Sequence, residues 1–376
     1  MSVPRKEATT LADKPHVVSV VGARPSFVKV APIARAFKER NRARHTIVHT
    51  GQHYDPDMSA SFFEVLEIPK PDFDLGVGSG SHGAMTGAMM KELEQVLVSI
   101  QPDWIITYGA SNSTLAAALT AAKLNMKTAH LESGLRSGNM SMPEEVNRKV
   151  ADVLSAVHFV TEQGAVDNLL HEGVAREKIH LVGNVMIDAL VAFLPKIEPL
   201  QAWNDFGMEK GNYLVATMHQ PYNVDEKKRL KQLIEELLNI GKTLPVLFSL
   251  HPRTSMRLQD YGLMETLVAS REVRITAPQD YLHFLSLISG ARGLITDSGG
   301  IADETSYLGV PCLTLRPSVE RPVTVELGTN EHIATDKGAL TKAVAQLLDG
   351  RWKKGSEIPY WDGKAAERIV QILLAN

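Results

Sequence analysis

The 376-residue sequence holds one cysteine, Cys312, so it forms no internal disulfide and cannot supply a cysteine-based zinc or iron–sulfur site. It has no surplus of charge of one sign. Forty basic against 43 acidic side chains leave a formal −3, which excludes a global field for nucleic acid or an acidic membrane. It has no uninterrupted apolar run of about 18 residues, which excludes a membrane-spanning helix. The opening MSVPRKEATTLADKP is polar, lacks the apolar core of a signal peptide and reads as disordered. No GxGxxG loop and no HExxH spacing occur, so neither a dinucleotide fingerprint nor a catalytic metal is expected. Short-period repeats and low-complexity tracts are lacking too. What is present is ordinary for a globular protein: 44% hydrophobic and 22% charged residues, at a length that predicts two to three domains. The expectation is a cytoplasmic-type enzyme or small-molecule binder.

Short β-rich runs alternate with longer helical patterns. Strands are predicted at residues 16–21, 46–49, 104–107, 127–131, 157–161 and 179–182, with helices at 27–39, 85–100, 114–124, 144–154 and 165–171. The pattern restarts at residues 213–218, 246–250, 273–276, 293–296 and 311–315. This alternation predicts parallel βαβ units in an α/β fold, with helices on both faces of each sheet. Domains are expected at residues 16–190 and 205–355, with a linker near 184–205. Residues 356–376 are expected to form a terminal helix that crosses back to the first domain. Two such domains facing each other would turn the carboxyl ends of their strands to a central cleft.

Chemistry is therefore sought at the strand ends. The first strand runs into Gly22-Ala23-Arg24-Pro25-Ser26 and a helix with Lys29. A helix start with nearby cations can hold an anion, and the same residues would also suit an ordinary surface loop. A stronger anion candidate follows residues 293–296, where Asp297-Ser298-Gly299-Gly300 could cradle a diphosphate on backbone N–H groups. Glu304 could reach a sugar hydroxyl or simply complement the helix dipole, and Asp297 reads as a turn acceptor. His219 and His251 end matching strands and could be catalytic or structural. Glu132 follows another strand, and Glu144 and Glu145 follow Pro143. Arg148 lies one turn beyond Glu144, placed to pair with it, as a plain salt bridge or as a tuned acid/base pair.

Together these segments resemble the non-hydrolysing UDP-N-acetylglucosamine 2-epimerase family. Its G-T-R-P-E-x-x-K loop corresponds to residues 22–29, its T-G-Q-H to Thr50-Gly51-Gln52-His53, and its H-V-E-A-G-L-R-[TS] to residues 130–137. P-E-E-x-N-R reads at 143–148, T-D-S-G-G-x-x-E-E at 296–304 and L-G-x-P-x-L-x-L-R at 308–316. E-R-P and G-T-N follow at 320–322 and 328–330, so the likeness is collinear from about residue 16 to residue 335.

The resemblance implies a GT-B-like fold of two Rossmann-type doubly wound domains, with UDP held mainly by the second. It implies inversion at C2 of a UDP-2-acetamido sugar by elimination and re-addition of UDP, without NAD or another cofactor. Carried over by motif, Glu132, Glu144 and His219 would handle protons or assist the leaving group, with Arg148 organising Glu144. Arg24, Lys29, Ser298, Gly299 and Gly300 would hold the diphosphate, and Glu304 the ribose or sugar. Phe284 and Arg321 would serve the uridine end. Gln52 and His53 lie in a segment that contacts an allosteric nucleotide-sugar site in some relatives. A UDP-sugar partner, a cytoplasmic homodimer and a part in polysaccharide biosynthesis are implied likewise.

Three departures fall in the site. The family's acid/base aspartate, in G-D-T-N-S-T, is here Ala110. Its H-R-x-E-N reads His219-Gln220-Pro221-Tyr222-Asn223, and its glutamate after R-P is Ser26. Three functions are weighed: an epimerase of UDP-GlcNAc/UDP-ManNAc or of a 2,3-diacetamido uronic acid relative; a catalytically silent UDP-sugar binder; and a GT-B glycosyltransferase, for which no acceptor site is identified.

Overall fold

The computed structural model describes residues 14–52, 63–333 and 336–375. The first thirteen residues, within the start read as disordered, lie outside them, as does His53. Two compact units divide the chain, Met1–Ala189 with Asp362–Asn376, and Leu190–Trp361.

In the first unit the strands are β1 (His16–Val21), β2 (Arg44–His49), β3 (Phe73–Asp74), β4 (Trp104–Tyr108), β5 (Thr128–Leu131), β6 (Val157–Val160) and β7 (Ile179–Leu181). All pair in parallel, in the order β3-β2-β1-β4-β5-β6-β7. Every residue of β1, β4, β5 and β6 is buried, as expected of a parallel sheet covered on both faces. The connecting helices are α1 (Arg24–Arg40), α2 (His82–Ile100), α3 (Asn112–Lys123), α4 (Pro143–Leu154) and α5 (Gln163–His171). Met89, Leu93 and Leu97 of α2 and Ala116, Ala117 and Ala121 of α3 pack with Val18, Val20, Val48 and Ile105 of the sheet. The short alanines of α3 let α2 and α3 lie close together. α6 (Val185–Ile197) occupies much of the stretch read as a linker, and the units divide within it.

The second unit carries β8 (Leu214–Thr217), β9 (Val246–Ser249), β10 (Val273–Thr276), β11 (Gly293–Thr296), β12 (Cys312–Thr314) and β13 (Asn330–His332). These too are parallel, in the order β10-β9-β8-β11-β12-β13. Its helices are α7 (Pro221–Val224), α8 (Lys227–Gly241), α9 (Pro252–Asp260), α10 (Met264–Val268), α11 (Tyr281–Gly290), α12 (Ile301–Leu308), α13 (Pro322–Glu326) and α14 (Ala339–Leu348). Leu230, Leu233, Ile234 and Leu237 of α8 form its main core with the strands. The last helix, α15 (Ala365–Ala375), belongs to the first unit: Asp188 accepts from the amides of Ala365 (3.1 Å) and Ala366 (2.6 Å) at its start. Among the described residues no helix is long and apolar enough to cross a membrane.

Strand order reverses between β1 and β4 in one unit and between β8 and β11 in the other. In open parallel sheets, ligands bind beyond the carboxyl ends of the strands at such switch points. The four loops so selected begin at Gly22, Gly109, Met218 and Asp297, and each carries one of the motifs above.

Candidate active site

In the first unit, Gly22 leaves β1 with no room for a side chain. A Cβ there would fall 2.0 Å from Thr50 Oγ1 and 2.3 Å from Ser113 Oγ. Ser26, at the third position of α1, donates its hydroxyl to Ala23 O (2.6 Å) and accepts from the amides of Gly22 and Ala23 (3.2 Å each). It thus fills one half of a capping box, accepting from the N-cap amide as a glutamate there would, while Ala23 has no side-chain acceptor for the other half. The departure at Ser26 is therefore compatible with an intact helix start. Arg24 is half-buried at the first position of α1.

Lys29 points inward from α1, and its Nζ lies 2.5 Å from Glu132 Oε2, with both side chains buried. Gly109, at φ +64°, covers the pair: a Cβ there would sit 2.9 Å from Lys29 Nζ and 3.2 Å from Glu132 Oε2. Lys29, expected at the diphosphate, is thus joined to Glu132, expected to handle protons. Ala110 is half-buried at the next position and brings no carboxylate. Beyond it, Asn147 Nδ2 donates to Ala110 O (3.0 Å) and Asn112 Oδ1 (3.1 Å), and Ser113 donates to Gln52 Oε1 from Oγ (2.9 Å) and N (3.2 Å).

The expected pairing of Arg148 with Glu144 is corrected. Arg148 Nη1 lies 3.3 Å from Oε2 of Glu145, the residue three before it, and Glu144 is exposed. On α4 the i−3 carboxylate faces the protein and the i−4 carboxylate faces outward. Glu145 also accepts from Ser137 N (2.8 Å), Ser137 Oγ (3.0 Å) and Gly138 N (3.3 Å), so it anchors the loop after β5. Glu144 is left with its carboxylate presented to solvent, at the start of a helix whose dipole favours it.

In the second unit, Asp297 is wholly buried and accepts from His219 N (3.0 Å), Gln220 N (3.0 Å) and Asn223 Nδ2 (3.0 Å). His219 Nδ1 adds a contact at 3.1 Å. Burial alone would raise the Asp297 pKa, but the His219, Asn223 and Gln220 donors outweigh it and hold the carboxyl below its ordinary range. Asp297 therefore fixes the loop after β8 and accepts a hydrogen bond from His219 Nδ1. His219 Nε2 lies 3.3 Å from Gln220 Nε2. His251 is exposed and caps α9 by accepting from Arg253 N (3.2 Å).

Ser298, Gly299 and Gly300 are half-buried and lead into α12. A Cβ on Gly299 would lie 2.5 Å from Arg316 Nη1, so a guanidinium sits directly against this turn. Arg316 is paired with Glu320, and Gly299, Arg316, Glu320, Arg321 and Asn330 line one concavity. Glu304 is buried, and its Oε1 accepts from the Tyr281 hydroxyl at 2.8 Å. Burial, with Asp303 beside it, pushes the Glu304 carboxyl up to about 7 against the opposing pull of Tyr281 and Arg321. Arg321 Nη1 contacts buried Asp303 Oδ2 at 2.8 Å. Phe284 is half-buried, one turn along α11 from Tyr281.

The structure thus joins Lys29 to Glu132, and sets Arg321 on the neighbour of Glu304. Glu145, Asn147 and Arg316 lie in segments the sequence singled out without giving them a role, and Tyr281 was passed over. Arg316 closes a motif that had been quoted, and its contact with Gly299 arises because β11 and β12 are adjacent in the sheet. Tyr281 had no signal beyond its place before Phe284.

The family model described as UDP-N-acetylglucosamine 2-epimerase matches residues 35–374. A UDP-N-acetylglucosamine 2-epimerase of Methanocaldococcus jannaschii is 41% identical over 361 residues, covering 94% of this chain and 97% of its own. A UDP-2,3-diacetamido-2,3-dideoxy-D-glucuronate 2-epimerase of Pseudomonas aeruginosa is 37% identical over 361 residues, covering 95% and 99%. Among solved structures, the M. jannaschii UDP-GlcNAc 2-epimerase in complex with UDP-GlcNAc and UDP has a TM-score of 0.89 at 40% identity, covering 96% of this chain and all of that one. The Neisseria meningitidis UDP-GlcNAc 2-epimerase bound to UDP-GlcNAc has a TM-score of 0.88 at 30% identity, with the same coverage. The two doubly wound units are those of the GT-B-like class. The chain belongs to the UDP-N-acetylglucosamine 2-epimerase family.

Proposed function

We propose that this chain is a non-hydrolysing 2-epimerase of a UDP-2-acetamido sugar, of the UDP-GlcNAc/UDP-ManNAc type or a 2,3-diacetamido uronic acid relative. What carries the reading is the family match over residues 35–374, with the motif residues at the strand ends that the two switch points select. The C2–H bond of such a sugar has no adjacent carbonyl to acidify it. Its proton must therefore leave as the C1–O bond breaks and the diphosphate departs with the bonding pair, giving a C1=C2 glucal. A proton then returns to C2 on the opposite face, and UDP adds back at C1. The sequence is redox-neutral and needs no hydride carrier.

Glu132, Glu144 and His219 are assigned to proton handling and leaving-group assistance. Lys29 stabilises the ionised form of Glu132 at 2.5 Å. Arg148 acts through Glu145, holding the helix that presents Glu144. Ser298, Gly299, Gly300 and Arg24 are assigned to the diphosphate, Glu304 to ribose or sugar hydroxyls, and Phe284 and Arg321 to the uridine end. Arg316 joins the anion set because it already lies against Gly299. A homodimer in the cytoplasm, serving polysaccharide biosynthesis, is proposed from the family resemblance.

The test is interconversion. UDP-GlcNAc and UDP-ManNAc, supplied separately, should each give the same mixture, followed by proton NMR at the anomeric position. Conversion of the diacetamido uronate alone would assign the second substrate. Saturable UDP binding with no conversion of any of the three would mean a silent binder.

A further inference from the structure

His130, the last-but-one residue of β5, is wholly buried and bonded through both ring nitrogens. Nε2 lies 2.7 Å from the carbonyl oxygen of Gly109, and Nδ1 lies 2.6 Å from Asp152 Oδ1. A carbonyl oxygen only accepts, so Nε2 carries a proton. Asp152, on α4, also accepts from Ser133 Oγ, from Gly134 N (3.1 Å) and from Arg136 Nη2 (2.7 Å). Four donors leave no call for a proton of its own. Burial opposes its ionisation, while the Arg136 guanidinium and the Ser133 hydroxyl favour it. An ionised Asp152 accepts from Nδ1, which therefore carries a proton as well.

The surroundings tolerate that charge. Arg136 is shared between Asp152 and Glu172, so a cationic ring, Asp152, Arg136 and Glu172 sum to zero, with the half-exposed Lys149 ammonium at the outer side of Glu172 (3.5 Å). His158, on β6, faces the same cluster at 3.9 Å from Asp152; burial pushes its pKa down to about 4, so it adds no charge. Across Gly109 lie Lys29 and Glu132, already paired with each other.

Three consecutive carbonyls leave the end of β4, and each meets a side-chain donor. Tyr108 O accepts from Thr114 Oγ1 (2.7 Å), Gly109 O from His130 Nε2 and Ala110 O from Asn147 Nδ2 (3.0 Å). The turn is thus aimed from α3, β5 and α4. We propose that His130 is a positioning residue that donates from both ring nitrogens, to Asp152 and to Gly109, and so fixes the turn at residues 109–110 over Lys29 and Glu132. This rests on the proposed epimerase reaction for its catalytic consequence, but not for its hydrogen bonding.

The direct test is nitrogen-15 NMR of the histidine rings in the full-length protein at neutral pH. Two solvent-protected ring N–H signals are expected for His130, lost in His130→Gln. A single ring N–H would overturn the proposal. The second test is C2 exchange with UDP-GlcNAc. His130→Leu should lower kcat roughly 10- to 100-fold with KM unchanged, as expected for slight misplacement of reacting groups. His130→Gln, which keeps a donor for Gly109, should recover part of the loss. Equal kcat in both variants and the parent would refute a positioning role. If the parent exchanges C2 of neither UDP-GlcNAc nor the diacetamido uronate, the proposed reaction fails. The ring spectrum, with faster amide exchange at residues 110–114 in His130→Leu, then still decides the positioning claim.

Discussion

Lys29 and Glu132 form a buried ion pair, 2.5 Å apart, beneath the turn that ends β4. Each compensates the other's desolvation, so the pair is costly to break from one side only. Lys29→Met should destabilise the first unit by about 3–5 kcal/mol, whereas Lys29→Met with Glu132→Leu should recover most of that loss. Urea denaturation midpoints of the two variants check this. Equal destabilisation by the single and double changes would contradict the buried-pair account.

Glu144 and Glu145 are adjacent in sequence and opposite in role. Glu145 holds Ser137, Gly138 and Arg148, so Glu145→Ala should cost roughly 1–3 kcal/mol through the donors left unpaired. Glu144 is exposed, so Glu144→Gln should shift the melting temperature little while lowering turnover by about 10²–10⁴. Thermal melts and steady-state kinetics on the two variants separate the roles.

Glu304 is held up to about 7 by burial, above the 4.5 of an ordinary glutamate. The folded protein therefore binds a proton that the unfolded chain has released, and stability falls as pH rises from about 4.5 to about 7. The Glu304→Gln variant should lack this fall, gaining on the order of 3 kcal/mol over the parent between those limits. Tyr281→Phe removes the hydroxyl that favours the ionised form, so its decline should extend to higher pH. Denaturant titrations across that range provide the measurement, with a parallel parent and Glu304→Gln pH profile as the contrary result.

Ala110 stands where the family resemblance places an aspartate, on a turn whose carbonyls at Gly109 and Ala110 are both held by side-chain donors. Ala110→Asp would place a carboxyl on that turn with no rearrangement of its hydrogen bonds. Turnover should rise by roughly 10²–10⁴ if the reaction is limited by the missing group. Side-by-side rates with saturating UDP-GlcNAc give the comparison.

The strands were legible where Val, Ile and Leu fill a two-sided sheet: the β1 and β11 runs agree with the structure residue for residue, as does the edge strand β10. β3 and β13 were not foreseen. Both are edge strands of two or three polar-rich residues, Phe73–Asp74 and Asn330–His332, too short to show a period. Helix starts were read late because Pro25 and Pro143 look like breakers in sequence yet occupy first-turn positions that need no N–H donor. Within the site, spacing could not tell whether Arg148 meets Glu144 or Glu145, since three- and four-residue separations share a helix face. Nor could it reveal Asp152, whose partners His130, Ser133 and Arg136 lie about twenty residues earlier and meet it only through sheet packing.

The central claim is that this chain removes and returns the proton at C2. Incubation with UDP-GlcNAc in D₂O, with the product read by proton NMR and mass, tests it most directly. The account predicts deuterium at C2 of the nucleotide sugar, with UDP-ManNAc appearing alongside. Saturable UDP binding with C2 still fully protonated, for UDP-GlcNAc and for the diacetamido uronate alike, would contradict it.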